Sequence, residues 1–204
     1  MRLRARPWLV PAWVVAMTLG CERGGVPEQA KLAPSSSAAS LGTLDLDGQV
    51  LDPLAPNGRA DVLVFLRTDC PISNRYAPKL ARIGARFAAA PVDLWLIYVD
   101  PDETPTVIRE HMQAYGLPGT ALRDPEQTSV ARAGAEVTPS VAVFDATGDR
   151  RYRGRIDDWY VDYGQARAEA STDELVDALE AVLAGRSPAV AETAAVGCPL
   201  PPLR

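Results

Sequence analysis

Residues 62–73 read VLVFLRTDCPIS. The first five are apolar, which predicts a fully buried strand. The polar turn behind them ends in Cys70, and Pro71 follows at what would be the first position of a helix. Because the N–H groups at a helix start carry partial positive charge, they lower the pKa of a thiol held there from its free value of about 8.5. This arrangement is typical of a reactive cysteine, and a buried structural cysteine after a core strand is the alternative interpretation.

Apolar spacing predicts the two elements that follow this segment. A helix of about four turns is expected after Cys70, with Pro78 inside it. Its apolar face consists of Tyr76, Leu80, Ile83 and Phe87. A second apolar run at 92–99 predicts another buried strand, which should lie parallel to the first because a helix connects the two.

Turn and capping signals mark the remaining elements. They predict a hairpin over 41–54, a helix from Thr104-Pro105 to Gly116, a short helix from Asp124-Pro125 to Gly134, a hairpin of strands 141–145 and 151–156, an irregular segment 157–170, and a last helix from the capping box Ser171–Glu174 to Gly185. This order predicts an α/β fold of three layers, with a central mixed sheet and helices on both faces. The domain is expected to span residues 41–185, followed by a tail, 186–204, that carries Cys198.

Length and charge exclude some functions. The chain has 204 residues and a net charge of −5, enough for one domain with extensions. No basic patch with interleaved aromatic residues is present in the sequence, so no nucleic-acid partner is predicted.

The first 40 residues are predicted to lie outside the fold. Residues 1–21 combine early arginines with a short apolar stretch, which predicts a signal peptide for export. Gly20-Cys21 resembles a bacterial lipobox, although Thr18 stands where leucine is usual. Cys21 would then be lipidated, and the protein would be held at the membrane of the bacterial envelope by its lipid anchor alone. Residues 22–40 predict a flexible linker.

Two cysteines then remain in an oxidising compartment, Cys70 and Cys198. Thiols there either pair or are kept reduced. Two cysteines cannot form a disulfide-rich framework, so their role is either chemical or that of a single clamp.

Four motifs in order resemble the thioredoxin-fold redoxins, a group that includes peroxiredoxins and membrane-tethered thiol–disulfide oxidoreductases. They are Thr68–Ser73 at the place of Cys-x-x-Cys, Pro78 in the active-site helix, Thr138-Pro139 at the place of the cis-proline loop, and Asp145–Gly148 with Tyr152–Gly154 in the late hairpin. The segments 69–78, 154–158 and 197–199 resemble a group of exported bacterial redoxins. Two departures stand out: Ser73 replaces the second cysteine, and Arg67 stands where peroxiredoxins have threonine.

The resemblance implies roles for several residues. Cys70 would be the nucleophile, exposed and ionisable opposite the cis-proline loop. Ser73 would donate a hydrogen bond to the thiolate or cap the helix, and Arg67 and Arg75 would add positive charge or lie on the solvated surface.

Thr138-Pro139 would form a cis peptide whose main-chain groups pair with an extended substrate. An ordinary turn before a strand is the alternative. Cys198 would resolve an intermediate formed on Cys70, clamp the tail by a permanent disulfide, or remain an unpaired thiol.

Three other polar residues each allow two interpretations. His111, the single histidine, is expected to be a partly buried helix residue, and a copper site with the two cysteines is the alternative. Asp157 and Asp158 are expected to lie in a solvated loop, with a metal or acid–base pair as the alternative.

The leading hypothesis is therefore a thiol–disulfide oxidoreductase that acts on protein or small-molecule thiols and disulfides through Cys70 and needs no cofactor. The alternatives are a thiol-dependent peroxidase, a metal carrier and a binding module without turnover.

Overall fold

A computed structural model describes residues 42–203. The predicted signal peptide 1–21, the lipidation site Cys21 and the linker 22–40 lie outside these residues. The elements, in chain order, are β1 (Ala60–Leu66), α1 (Pro71–Phe87), β2 (Val92–Tyr98), α2 (Pro105–Tyr115), β3 (Thr120–Arg123), α3 (Thr128–Ala133), β4 (Val137–Thr138), β5 (Ser140–Phe144), β6 (Arg150–Gly154), β7 (Tyr160–Asp162), β8 (Gln165–Ala166), α4 (Glu174–Leu183) and β9 (Cys198–Pro199). Within the described part of the chain, no helix has the length and apolar character needed to span a bilayer.

The central sheet has the strand order β3-β2-β1-β5-β6. The first three strands pair in parallel, and β5 and β6 join in antiparallel pairing. This is the mixed α/β sheet that the sequence predicts. The parallel strands bring the carboxyl ends of β1 and β2 to the same edge, where Cys70 follows β1.

The two faces of β1 divide the core in two. Every residue of β1 is buried. Val62, Val64 and Leu66 belong to the cluster formed with α1, α2 and α4. Leu63 and Phe65 belong to a second cluster with α3. The alternation follows from the two-residue period of a strand and explains the continuous apolar run, because both faces are covered.

Two helices begin as the sequence predicts, because proline occupies the first turn of each. The α1 helix starts at Pro71, and α2 starts at Pro105 with the Thr104 hydroxyl accepting from the Val107 N–H at 3.4 Å. The α2 helix ends at Gly116, which has a φ of 60°. This left-handed conformation favours glycine.

Two other helix starts differ from the prediction. The α3 helix begins at Thr128, not at Asp124-Pro125, because the Asp124 carboxylate accepts from three N–H groups of the first turn, at 2.8 to 3.0 Å. Asp173, at the start of α4, makes no capping bond with its side chain. Ser171, predicted to belong to the capping box, donates its hydroxyl to Asp158.

Short strands are where the sequence prediction is wrong. Strand β3 has four residues and forms by parallel pairing with β2. Segment 157–170, predicted to be irregular, contains the small hairpin of β7 and β8. The hairpin predicted over 41–54 is reduced to isolated bridges of Leu44 with Val50 and with Arg123.

Candidate active site

Cys70 is the capping residue of α1. It has extended backbone angles, and the Ser73 N–H points to its sulfur at 3.5 Å. The Asn74 N–H donates to the Cys70 carbonyl at 3.1 Å and begins the helical bonding. The sulfur therefore lies at the helix start, beside the Ser73 N–H, where a thiolate is favoured by the partial positive charge of the helix terminus.

Cys70 forms a disulfide with Cys198, 128 residues later, and the two Cα atoms are 6.1 Å apart. The interpretation of Cys198 as an unpaired tail thiol is therefore wrong. The tail reaches this position as strand β9, which pairs antiparallel with β4. Thr138 lies opposite Cys198, and Val137 lies opposite Pro199.

The peptide bond between Thr138 and Pro139 is cis, in agreement with the resemblance. The Thr138 carbonyl oxygen lies 3.1 Å from Cys70 Sγ. In the reduced protein this oxygen is placed to accept a hydrogen bond from the Cys70 thiol. Cys70, Cys198 and the cis-proline loop therefore meet at one point.

The expected exposure of Cys70 is not found in this disulfide form. Cys70 is 1% exposed and Cys198 is 8% exposed. The sulfur that the sequence predicts to be open to solvent is bonded to Cys198 of the tail strand. Access to Cys70 therefore requires the tail to move.

Ser73 contributes its backbone more than its side chain. Its N–H points to Cys70 Sγ, whereas its hydroxyl is buried without a hydrogen-bond partner among the described residues. With Cys70 in the disulfide, the predicted hydrogen bond from the Ser73 hydroxyl to the sulfur is therefore not formed within residues 42–203.

The two arginines have separate surroundings. Arg67 pairs with Asp69 at 2.8 Å and with Asp100 at 3.4 Å, and it donates to the Pro199 carbonyl at 3.3 Å. It thus contacts the tail directly beside Cys198. Arg75 instead donates to the Tyr160 hydroxyl and stacks over the Trp159 ring, so the predicted contribution of its charge at Cys70 is not supported.

A family model described as Redoxin matches residues 28–159. The chain belongs to the Redoxin family. This redoxin has the thioredoxin-like α/β fold that its motifs predict. A comparison with curated proteins gives no match.

Three solved structures resemble this redoxin. An uncharacterized conserved protein from Geobacillus kaustophilus has a TM-score of 0.64 at 23% identity, covering 78% of this chain and 86% of its own. A hypothetical protein from Sinorhizobium meliloti also has a TM-score of 0.64, at 22% identity over 78% and 88%. A secreted disulfide oxidoreductase from Mycobacterium tuberculosis has a TM-score of 0.48 at 20% identity over 70% and 93%. The first two share the fold of this redoxin over most of their length.

The sequence analysis did not find Glu103, which supports the loop before Cys70. Its carboxylate accepts from the Thr68 N–H at 2.5 Å, and the Asn74 side chain donates to the Thr68 carbonyl at 3.1 Å. The backbone N–H and the carbonyl of Thr68 thus both have side-chain partners. Burial raises the pKa of Glu103 to about 7; the bond from Thr68 opposes this, and the nearby charges of Asp100 and Asp69 add to it.

A signal for Glu103 was available in the sequence. It closely follows the second predicted parallel strand, and the carboxyl ends of adjacent parallel strands meet at one edge of the sheet. Polar residues after 92–99 were therefore candidates to contact the loop after 62–66.

His111 is a structural residue of the helix, as expected. Its Nε2 lies 2.7 Å from the Asn74 side-chain oxygen, and its Nδ1 lies 2.9 Å from the Tyr98 hydroxyl. The amide oxygen can only accept, so Nε2 carries the proton and Nδ1 accepts from Tyr98. Burial lowers the pKa of His111, in keeping with the neutral form. Among residues 42–203, no three histidine, cysteine or acidic side chains are grouped to hold a metal ion.

Asp157 and Asp158 are buried, so the expected solvated loop is wrong. Asp157 accepts from the Tyr76 hydroxyl at 2.7 Å and from the Trp159 N–H at 2.9 Å. Asp158 accepts from the Ser171 N–H at 2.6 Å. These carboxylates hold the segment after β6 against α1 and the start of α4.

Proposed function

We propose that this redoxin is a thiol–disulfide oxidoreductase in which Cys70 attacks the substrate and Cys198 resolves the intermediate. One observation carries the proposal: the Cys70 sulfur lies at the start of α1, beside Thr138-Pro139, and is bonded to Cys198. The helix terminus favours the thiolate that attacks, and the tail brings the second sulfur to it. Thr138 and Pro139 position the sulfur and its partner strand, and Ser73 supplies a backbone N–H.

The chemistry is a two-step exchange. The Cys70 thiolate attacks one sulfur of a substrate disulfide, forms a mixed disulfide and releases the other substrate sulfur as a thiolate. Cys198, as a thiolate, then attacks Cys70 Sγ and releases the remaining substrate thiolate. The substrate disulfide gains two electrons, and Cys70 and Cys198 lose two as their bond forms. The same steps in reverse oxidise a substrate dithiol.

Export to the bacterial envelope is part of this proposal. The arginines and apolar stretch of residues 1–21 support a signal peptide, and Gly20-Cys21 supports a lipid anchor on Cys21. The disulfide between Cys70 and Cys198 is also in keeping with an oxidising compartment. The proposed partners are thiols and disulfides of proteins or small molecules.

The proposal is tested with the reduced full chain and a disulfide-bonded peptide, followed by alkylation and mass spectrometry. We expect the wild type to reduce the peptide and end as Cys70–Cys198. Cys198→Ser should stop at a mixed disulfide on Cys70, and Cys70→Ser should not reduce the peptide. Full turnover by Cys70→Ser, or peptide reduction that is negligible beside reduction of hydrogen peroxide, would overturn the proposal.

A further inference from the structure

Gly197 lies where a larger residue does not fit. A β carbon at this position would be 2.3 Å from the Thr138 carbonyl oxygen, 2.7 Å from its carbon and 3.2 Å from Pro139 N. All three are backbone atoms, so no side-chain rotation relieves the overlap. The φ of Gly197 lies outside the left-handed region that favours glycine. Space, and not backbone conformation, therefore requires glycine here.

The tail beside Cys198 is held through side chains and through its main chain: Val196 and Leu200 pack against the two core clusters. Strand β9 pairs with β4, Arg67 donates to the Pro199 carbonyl at 3.3 Å, and the Gln127 amide donates to the Pro201 carbonyl at 2.8 Å. These two carbonyls are two residues apart, as are groups on one side of an extended strand. The main-chain contacts recognise an extended backbone, whatever side chains it carries.

We propose that residues 196–201 occupy the place of an external partner strand, and that the preferred partner is an extended protein segment containing Gly-Cys. This inference rests on the proposed function. A partner cysteine must bring its sulfur to Cys70 beside the Thr138 carbonyl, as Cys198 does. In antiparallel pairing with β4, the partner residue before its cysteine then passes the Thr138 and Pro139 backbone and meets the restriction found at Gly197.

Partner binding follows release of the tail. With Cys198 reduced, the Cys70 thiolate attacks the partner cysteine's sulfur, which is bonded to a second sulfur. The new Cys70–partner bond forms as the second sulfur leaves as a thiolate. The mixed disulfide then has the geometry that Cys198 has in the closed form.

The test uses two peptides and the full chain with Cys21→Ser and Cys198→Ser, which leaves Cys70 as the one cysteine of the chain. One peptide has the sequence of residues 196–200, and the other differs only by alanine in place of glycine. Each carries thionitrobenzoate on its cysteine, so release of the coloured thiolate reports transfer of the peptide to Cys70. We expect the glycine peptide to react about tenfold to a hundredfold faster, since forcing extra volume into a filled site has a cost of that order. Free glutathione, as attacking thiol, should react equally with both.

The possible failures are distinct. Equal rates for the two peptides, or reaction of Cys70 with a small disulfide but with neither peptide, would overturn this inference and leave the proposed function standing. A Cys70 that reacts with neither peptide and with no small disulfide would contradict the proposed function itself. In the otherwise unchanged chain, Gly197→Ala should lower the equilibrium constant for closing Cys70–Cys198 against glutathione by a similar factor. An unchanged constant would contradict the steric argument.

Discussion

Reduction of the Cys70–Cys198 bond should destabilise this redoxin. The bond closes a loop with a sequence separation of 128 residues. In the chain-entropy model, a loop of that size restricts the unfolded chain by about 5 kcal/mol. The helix terminus at Cys70 acts in the opposite direction, because it stabilises the thiolate of the reduced form by about 0.3–2 kcal/mol. The oxidised form is therefore expected to be more stable by about 3–5 kcal/mol.

Urea unfolding of oxidised and reduced protein at one pH measures this difference. At a slope of about 2 kcal/mol/M, the midpoint of the oxidised form should lie about 2 M higher. The matched control is Cys198→Ser, which lacks the bond and should unfold at the same midpoint with and without reductant. It should also resemble the reduced wild type.

The result bears on the direction of electron flow. A disulfide that stabilises the fold is itself stabilised by the fold to the same extent. About 4 kcal/mol corresponds to a reduction potential about 90 mV lower than that of the same bond in the unfolded chain. The reduced protein would then be a good donor of electrons. A reduced form at least as stable as the oxidised one would refute the reasoning, since it would mean that stabilisation of the Cys70 thiolate outweighs closure of the loop.

Two further predictions concern the groups around the site. The pKa of Glu103 is about 7 in the folded protein and about 4.5 in the unfolded chain, so the folded form binds the proton more tightly. This protonation stabilises the fold fully below about pH 4.5, and the stabilisation is lost as the pH rises through 7. Glu103→Gln keeps an acceptor for the Thr68 N–H and cannot ionise. Its free energy of unfolding should therefore exceed that of the wild type by about 2–3 kcal/mol above pH 7 and be similar near pH 4.5. An equal difference in the free energy of unfolding at both pH values contradicts this. Tyr76→Phe removes the hydrogen bond to buried Asp157 and should lower the free energy of unfolding by about 1.5–3 kcal/mol, measured in urea. The control Tyr163→Phe, at an exposed position, should change the free energy of unfolding by less than about 0.5 kcal/mol. Equal effects of Tyr76→Phe and Tyr163→Phe would show that the bond to Asp157 contributes nothing to stability.

The sequence predicts the part of the site whose signals are local. The run 62–66, Cys70 and Pro71 follow one another directly, so the strand, the sulfur and the helix start are all contained in twelve residues. The cis-proline loop is distant, and it was predicted only because the motifs occur in the order of a known family. Its position 3.1 Å from the sulfur is a property of the folded sheet.

The sequence analysis missed features that depend on contacts with other segments of the chain. Strand β3 has four residues and no periodic pattern, and it exists because β2 offers it a parallel edge. The α3 helix begins at Thr128, later than predicted, because the Asp124 carboxylate accepts hydrogen bonds from the N–H groups of the first turn. In both cases a tertiary or medium-range contact outweighs the propensity of the segment itself.

The role of the tail could not be derived from local pattern, because its signals acquire meaning only beside β4. A Gly-Cys-Pro sequence in a proline-rich tail is compatible with a resolving cysteine, a clamp and an unpaired thiol. The structure pairs Cys198 with Cys70 and places Gly197 against the Thr138 carbonyl.

Two opposed effects then act on one sulfur. The start of α1 favours the Cys70 thiolate, and the pairing of the tail with β4 favours the disulfide. A permanent clamp would need only the second effect, whereas a catalyst needs both, because it must form the bond and also release it. The placement of Cys70 as the cap of α1, and not merely near the tail, therefore favours a redox role for the bond that closes on it.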